Sequence, residues 1–91
     1  MMPLFALICR DKPGALETRM ANREAHLAYV RDTRVVLFGG PMLTDGEMRG
    51  SLLVLKADSL DAAKAWSDRD PYALAGLFDS VEITEWKKVI G

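Results

Sequence analysis

Leu4-Phe5-Ala6-Leu7-Ile8-Cys9 is an unbroken apolar run, bounded by Pro3 on one side and by Arg10-Asp11-Lys12-Pro13-Gly14 on the other. A short run flanked by turn formers predicts a strand, and apolar side chains at every position place it inside a sheet rather than at an edge. Gly50-Ser51-Leu52-Leu53-Val54-Leu55-Lys56 reads the same way. Two further strands, Val35–Phe38 and about Phe78 to Val89, and two main helices complete the order βαββαβ. That order is the ferredoxin-like arrangement of the α+β class: a four-stranded antiparallel sheet, strands one and three in the middle, both helices on one face.

Strands that are apolar on both sides need cover on both sides. With the helices laid over Leu4, Ala6 and Ile8, the alternate set Phe5, Leu7 and Cys9 stays bare, as does one of the pairs Leu52/Val54 and Leu53/Leu55. Monomers rarely leave such contiguous apolar area in water, and the simplest cover is a second copy of the sheet. A homodimer with sheets face to face is therefore expected. The 91 residues read as one domain spanning 1–91, and a chain of this size buries only about two-thirds of its unfolded surface unaided.

The connecting segments carry their own signals. About Ala15 to Val30 predicts the first helix, with Glu17 in the first turn where a negative charge suits the dipole; Arg31-Asp32-Thr33 is then the connection. Gly39-Gly40-Pro41 is expected to stop the second strand, since proline lacks the N–H that pairing needs. Asp45-Gly46 is a hairpin signal. Asp58-Ser59 supplies an N-cap for a second helix running to about Trp66. Asp68-Arg69-Asp70-Pro71 breaks it, and Asp70 then caps a short helix with Pro71 at its first position, ending at Gly76. In the last strand the alternation of Val81 and Ile83 changes phase at Glu85-Trp86, which predicts a bulge there.

Composition excludes several classes. Hydrophobic residues at 49% and charged residues at 27% describe an ordinary globular protein. A net charge of −1 without a basic block argues against a nucleic-acid partner. No apolar run approaches ~18 residues and the N-terminal Met1-Met2-Pro3-Leu4 has no signal-peptide pattern, so a cytoplasmic protein without a membrane partner is expected. One cysteine and one histidine supply neither a disulfide nor a zinc site of the usual kind; no metal is expected, and Cys9 reads as a small core residue.

The single histidine lies on the first helix. At about 100° per residue, Leu16, Met20 and Leu27 form one narrow stripe, and Arg19, Arg23, His26 and Val30 a second row along its edge. His26 thus sits at the shoulder of the apolar face, with two guanidinium groups one and two turns away. Such a ring can wall a cleft that takes an anion, and imidazole can both give and accept a proton near neutral pH when a second group fixes its tautomer.

Several segments together resemble the YciI-like (YCII-related) family. They are the opening strand, Arg23-x-x-His26-Leu27, Gly40-Pro41-Met42 with Gly50-Ser51, Ala65-Trp66-x-x-x-Asp70-Pro71-Tyr72, and Lys87-Lys88-Val89. The resemblance implies a dimeric α/β-barrel with a cleft in each subunit and a site built on a histidine and an aspartate, which fall on His26 and Asp70. One member of the family removes chloride from a chlorinated hydroxyquinol-type ring, and the wider superfamily includes muconolactone isomerases and small monooxygenases. The link between the first helix and the second strand is a few residues shorter here than in the family.

The reading that unites these signals is a small lyase or isomerase, dehydrochlorinase-like, acting on an anionic metabolite without a cofactor. His26 serves as general acid/base and Asp70 orients it. Asp70 can cap and orient at once, because one carboxylate accepts several hydrogen bonds. A His–Asp pair without an activated nucleophile suits proton abstraction, elimination or isomerisation. Arg23, Ser51 and the backbone of Gly40 are the substrate-binding candidates, with Arg19 behind them, and Met42, Tyr72 and Trp66 are candidate apolar walls. The alternative is a non-catalytic small-molecule-binding or accessory module of the same fold.

Overall fold

The two doubly apolar runs lie side by side in the middle of one sheet. The structure is a computed structural model that describes residues 2–91. In chain order the elements are β1 (Leu4–Asp11), α1 (Leu16–Thr33), β2 (Val36–Thr44), β3 (Glu47–Lys56), α2 (Leu60–Asp68), α3 (Pro71–Leu74) and β4 (Phe78–Trp86). The strands are ordered β2-β3-β1-β4, every neighbour antiparallel. This is the ferredoxin-like fold.

The helices cover the opposite parity from the one expected. The core unites Phe5, Leu7 and Cys9 with Leu53, Leu55 and Ala63, and Trp66, Phe78 and Ile83 pack around it. Leu4, Ala6 and Ile8 face away. A strand apolar at every position carries no alternation, so its apolar residues cannot say which set faces the helices. The polar continuation does: Asp11 and Ser51 share the face of Phe5, Leu7 and Cys9, with Cys9 paired to Ser51 across the sheet, and both find partners on α1.

On the far face, Phe38 of one edge strand meets Trp86 of the other, edge to face, with ring centroids 6.1 Å apart. The two rings reach over the middle strands, where Ala6 and Val54 are buried while Leu52 remains exposed.

Other boundaries also move. β2 does not stop at Gly39-Gly40-Pro41 but runs through them, Pro41 opposite Ser51. As an edge strand it tolerates a residue without an N–H. Gly39 is required by close approach: a Cβ there would meet the side chain of Leu53 and lie 2.8 Å from the Leu52 carbonyl oxygen. The hairpin forms as expected, Asp45 and Gly46 both at positive φ (52° and 80°). α1 extends to Thr33, whose hydroxyl donates to Tyr29 O (2.8 Å) and accepts from Trp66 Nε1 (3.0 Å). Ser59 caps α2 through Ala62 N, and that helix runs on to Asp68. β4 ends at Trp86, opposite Leu4 where β1 begins, so the residues after it have no strand to pair with. Its irregularity lies opposite Arg10/Asp11, not at Glu85-Trp86.

The buried face of α1 is the polar row. Arg19 (3% exposed) and His26 (6%) are buried, whereas Met20 (52%) and Leu27 (45%) face outward. Apolar spacing misplaces the helix by part of a turn because polar partners below it outweigh two apolar side chains. No helix among the described residues is long and apolar enough to cross a membrane.

Candidate functional site

α1 lies over the β2–β3 side of the sheet without closing on it, and the gap is a cleft of about 110 Å³. From α1 it receives Arg19, Arg23 and His26; from β3, Ser51 and Leu53; from α3, Tyr72; from β2, the backbone of Gly39 and Gly40, and Pro41, which shares the face of Ser51. Leu27, Val30 and Met48 add apolar surface.

α3 exists because Asp70 caps it. Its Oδ1 accepts from Tyr72 N at 2.9 Å, and Pro71 occupies the first turn. The same oxygen lies 2.8 Å from His26 Nδ1. A carboxylate only accepts, so Nδ1 carries the hydrogen and donates. Nε2 has no partner among the described residues, and the ring lines the cleft. Tyr72, set by the same short helix, stacks under the imidazole at 4.0 Å with 12° between planes. The ring orientation of His26 is therefore held by a hydrogen bond at its edge and a stack on its face.

Two turns earlier, Arg19 is clamped. Nε and Nη2 donate to the two oxygens of Asp11 (2.7 and 2.9 Å), and Nη2 also donates to Ser51 Oγ (2.9 Å). Its Cζ is 4.7 Å from the centre of the Tyr72 ring, so Tyr72 is gripped by the Arg19 guanidinium and the His26 imidazole. Burial by itself favours the neutral guanidine, but the Asp11 carboxylate more than offsets this and raises the Arg19 pKa. Burial also raises the Tyr72 phenol, against the pull of Arg19 and Arg23. Beneath the site, burial and then the Asp70 charge push the Cys9 thiol up to about 12.

The expected site residues thus separate into groups. His26 and Asp70 touch. Ser51 lies on the floor, held by Arg19. Arg23 is exposed at the rim and makes no ion pair among the described residues. Gly40 offers only backbone to the cleft: it pairs with Leu52, whose side chain is on the far face, and its own Cβ direction is open.

Of the expected apolar walls only Tyr72 lines the cleft. Met42 is on the far face, opposite Gly50, and Trp66 packs against Tyr29 at 4.9 Å. Asp11 and Met48 were not among the expected residues. Asp11 was legible in principle, since period 2 from Cys9 sets it on the helix face. Met48 was not, because the register shift between Met42 and Leu43 decides its side.

A model of the YCII-related domain matches residues 3–87. Protein YciI of Escherichia coli is 36% identical over 96 residues, covering 94% of this chain and 98% of its own. An uncharacterized protein of Haemophilus influenzae is 33% identical over 95 residues, 93% and 97% covered. Among solved structures, 5-chloro-2-hydroxyhydroquinone dehydrochlorinase (TftG) from Burkholderia phenoliruptrix AC1100, in complex with 2,5-dihydroxybenzoquinone, superposes with a TM-score of 0.84 at 35% identity, covering 92% of this chain and 93% of that one.

Proposed function

The chain belongs to the YCII-related family, and from that premise we propose that it is an acid/base enzyme of the lyase or isomerase type, acting on a small anionic metabolite. The observation that carries this is the His26 Nδ1 to Asp70 Oδ1 bond at 2.8 Å, which leaves Nε2 as the ring nitrogen for substrate. In this role Nε2 takes a proton from the substrate, Asp70 stabilises the imidazolium that forms, and Nε2 returns the proton at another atom. The likeness to TftG supports an enzyme and a ring-sized substrate. Arg23 supplies the exposed positive charge that holds an anion at the rim, and the bare backbone of β2 lets the substrate lie close. The chemistry asks for no metal or organic cofactor.

The far face of the sheet supports the proposed homodimer. Leu4, Ala6, Ile8, Leu52 and Val54, with Phe38 and Trp86 above them, form an apolar surface on the side opposite the helices. A two-fold partner of the same composition covers it without blocking the cleft.

The test follows protons. Small enolisable anions and 5-chloro-2-hydroxyhydroquinone are incubated with the protein in D2O and followed for carbon-bound deuterium and for chloride release. Wild type is expected to turn over at least one of them, and His26→Ala to abolish turnover while ligand affinity stays within about threefold. No turnover by wild type, with His26→Ala merely weakening binding, points instead to a binding module.

A further inference from the structure

The sheet has two edges, and only one is closed to a further strand. β2 carries Gly39-Gly40-Pro41, and a proline blunts an edge because it cannot donate to a neighbour. β4 is the other edge, hydrogen-bonded to β1 alone. Its sequence, Phe78-Asp-Ser-Val-Glu-Ile-Thr-Glu-Trp86, has no glycine or proline and is rich in residues that suit extended chain. Along its outer side the strand presents backbone N–H and C=O groups that no other strand takes up.

A groove lies beside this edge. α2 does not close on β4, and the space of about 270 Å³ between them is lined by Leu60, Lys64, Ser67 and Asp68 from the helix and by Val81 and Ile83 from the strand. Leu60 (52%) and Val81 (42%) are apolar residues left open. Ser67 is only 3% exposed, and its hydroxyl has no hydrogen-bond partner among the described residues, yet no buried side-chain oxygen is left unsatisfied. Its Oγ is therefore reached from the groove. The charge beside the groove is negative. Asp68 lines it, Glu85 follows Val81 and Ile83 on the same sheet face, and Glu82 stands on the opposite face. All three are exposed and none makes an ion pair among the described residues; Lys64 is the one cation among the lining residues. The β4 of a second copy brings the same carboxylates, which disfavours self-pairing, whereas a basic strand fits.

We infer that the β4 edge and its groove are a docking site for an extended, basic segment of a partner protein, added to the four-stranded sheet as a further strand. Main-chain hydrogen bonds to β4 give the affinity, and alternate side chains give the selection. On the helix face a β-branched residue opposite Val81 or Ile83 enters the groove, where threonine gains a hydrogen bond from Ser67. At about 270 Å³ the groove takes one or two such side chains, since a cavity of about 150 Å³ accepts benzene. On the other face a lysine or arginine stands opposite Glu82, and a second beside the groove meets Asp68 or Glu85. The site is on the edge of the sheet away from β2, so the segment leaves the cleft under α1 open.

The probe is the fluorescein-labelled peptide Lys-Thr-Lys-Val-Lys-Thr-Lys, followed by fluorescence anisotropy beside its counterpart with glutamate for lysine. Wild type is expected to bind the lysine peptide saturably and the glutamate peptide about tenfold or more weakly, and Glu82→Lys to weaken the lysine peptide about fivefold. Charge attraction without strand pairing gives the same result, so two N-methylated lysine peptides carry the decisive comparison, one methylated on the threonines and valine, the other on the inner lysines. An added strand turns alternate N–H groups toward β4, so one set is expected to lose binding about tenfold and the other to stay within about threefold. These peptides leave the protein unaltered, and the comparison is independent of how any variant folds. No saturable binding, equal affinity for the lysine and glutamate peptides, or equal loss from the two methylated sets overturns the site. Binding that emerges only when the chain is ended at Trp86 overturns the partner protein, because Lys87-Lys88-Val89-Ile90 is then the segment that the edge takes.

Discussion

Asp70 has two duties that one substitution separates. Asn keeps a side-chain oxygen for Tyr72 N and remains a good N-cap, but it removes the charge facing His26. Asp70→Asn is expected to melt within a few degrees of wild type and, on any substrate that the protein turns over, to lose about 10²-fold in kcat. Asp70→Ala removes the cap as well and is expected to cost a further ~1 kcal/mol in denaturant unfolding. Equal kcat in wild type and Asp70→Asn makes Asp70 a cap alone.

Cys9 gives a pH prediction of definite sign. The unfolded thiol ionises near its ordinary value of 9.0, the native one only at about 12. The native state holds that proton more tightly, so the contribution to stability is full below the unfolded value and is lost as pH rises from there toward the native one. Cys9→Ala is expected to flatten the fall in denaturation midpoint that begins near pH 9 and continues toward about pH 12. Tyr29 and Tyr72, raised in the same direction by burial, add their share at higher pH. The pairing of His26 with Asp70 was legible only through the family resemblance, because 44 residues of chain separate the two and no local signal joins them.

At the scale of elements, caps and turns announce themselves and strand parity does not. Ser59, Asp70-Pro71 and Asp45-Gly46 act within a few residues of themselves, so local chemistry decides them. The path of β2 through Pro41 depends on its place at the sheet edge, which no local signal records. The two adjacent glycines of β2 differ for the same reason. Gly39→Ala puts a methyl group against the Leu52 carbonyl and the Leu53 side chain, and is expected to destabilise by about 1–3 kcal/mol and to narrow the cleft. Gly40→Ala meets no atom within 4 Å in one chain and is expected to change stability by well under 1 kcal/mol in a monomeric background. Chemical denaturation of the two variants side by side checks the register of β2. Equal costs contradict it. α1 teaches a related lesson, since its apolar stripe pointed outward and its buried row was the one that Asp11, Ser51 and Asp70 could satisfy.

For the molecule as a whole, the need for a second cover followed from two strands apolar on both sides, whichever set the helices take. The assignment of sets was reversed, but the conclusion drawn from them does not depend on it. Light scattering is expected to give twice the chain mass of 10.1 kDa, and Trp86→Glu with Phe38→Glu to yield a monomer, since charges facing each other across an apolar interface are unfavourable. A wild-type protein that stays monomeric at high micromolar concentration rules the dimer out. The order of elements and the family motifs carried most of this architecture into the sequence. The cleft itself was not legible, because it is the space left where a helix turned by its polar contacts fails to close on an edge strand.

The central claim is that Asp70 holds His26 with its hydrogen on Nδ1 and Nε2 bare toward the cleft. With only one histidine in the chain, a long-range 1H–15N spectrum of the neutral imidazole reads the tautomer without assignment. The account predicts the Nδ1–H form in wild type and a shift of population toward Nε2–H in Asp70→Ala. A wild-type imidazole protonated at Nε2 would contradict it.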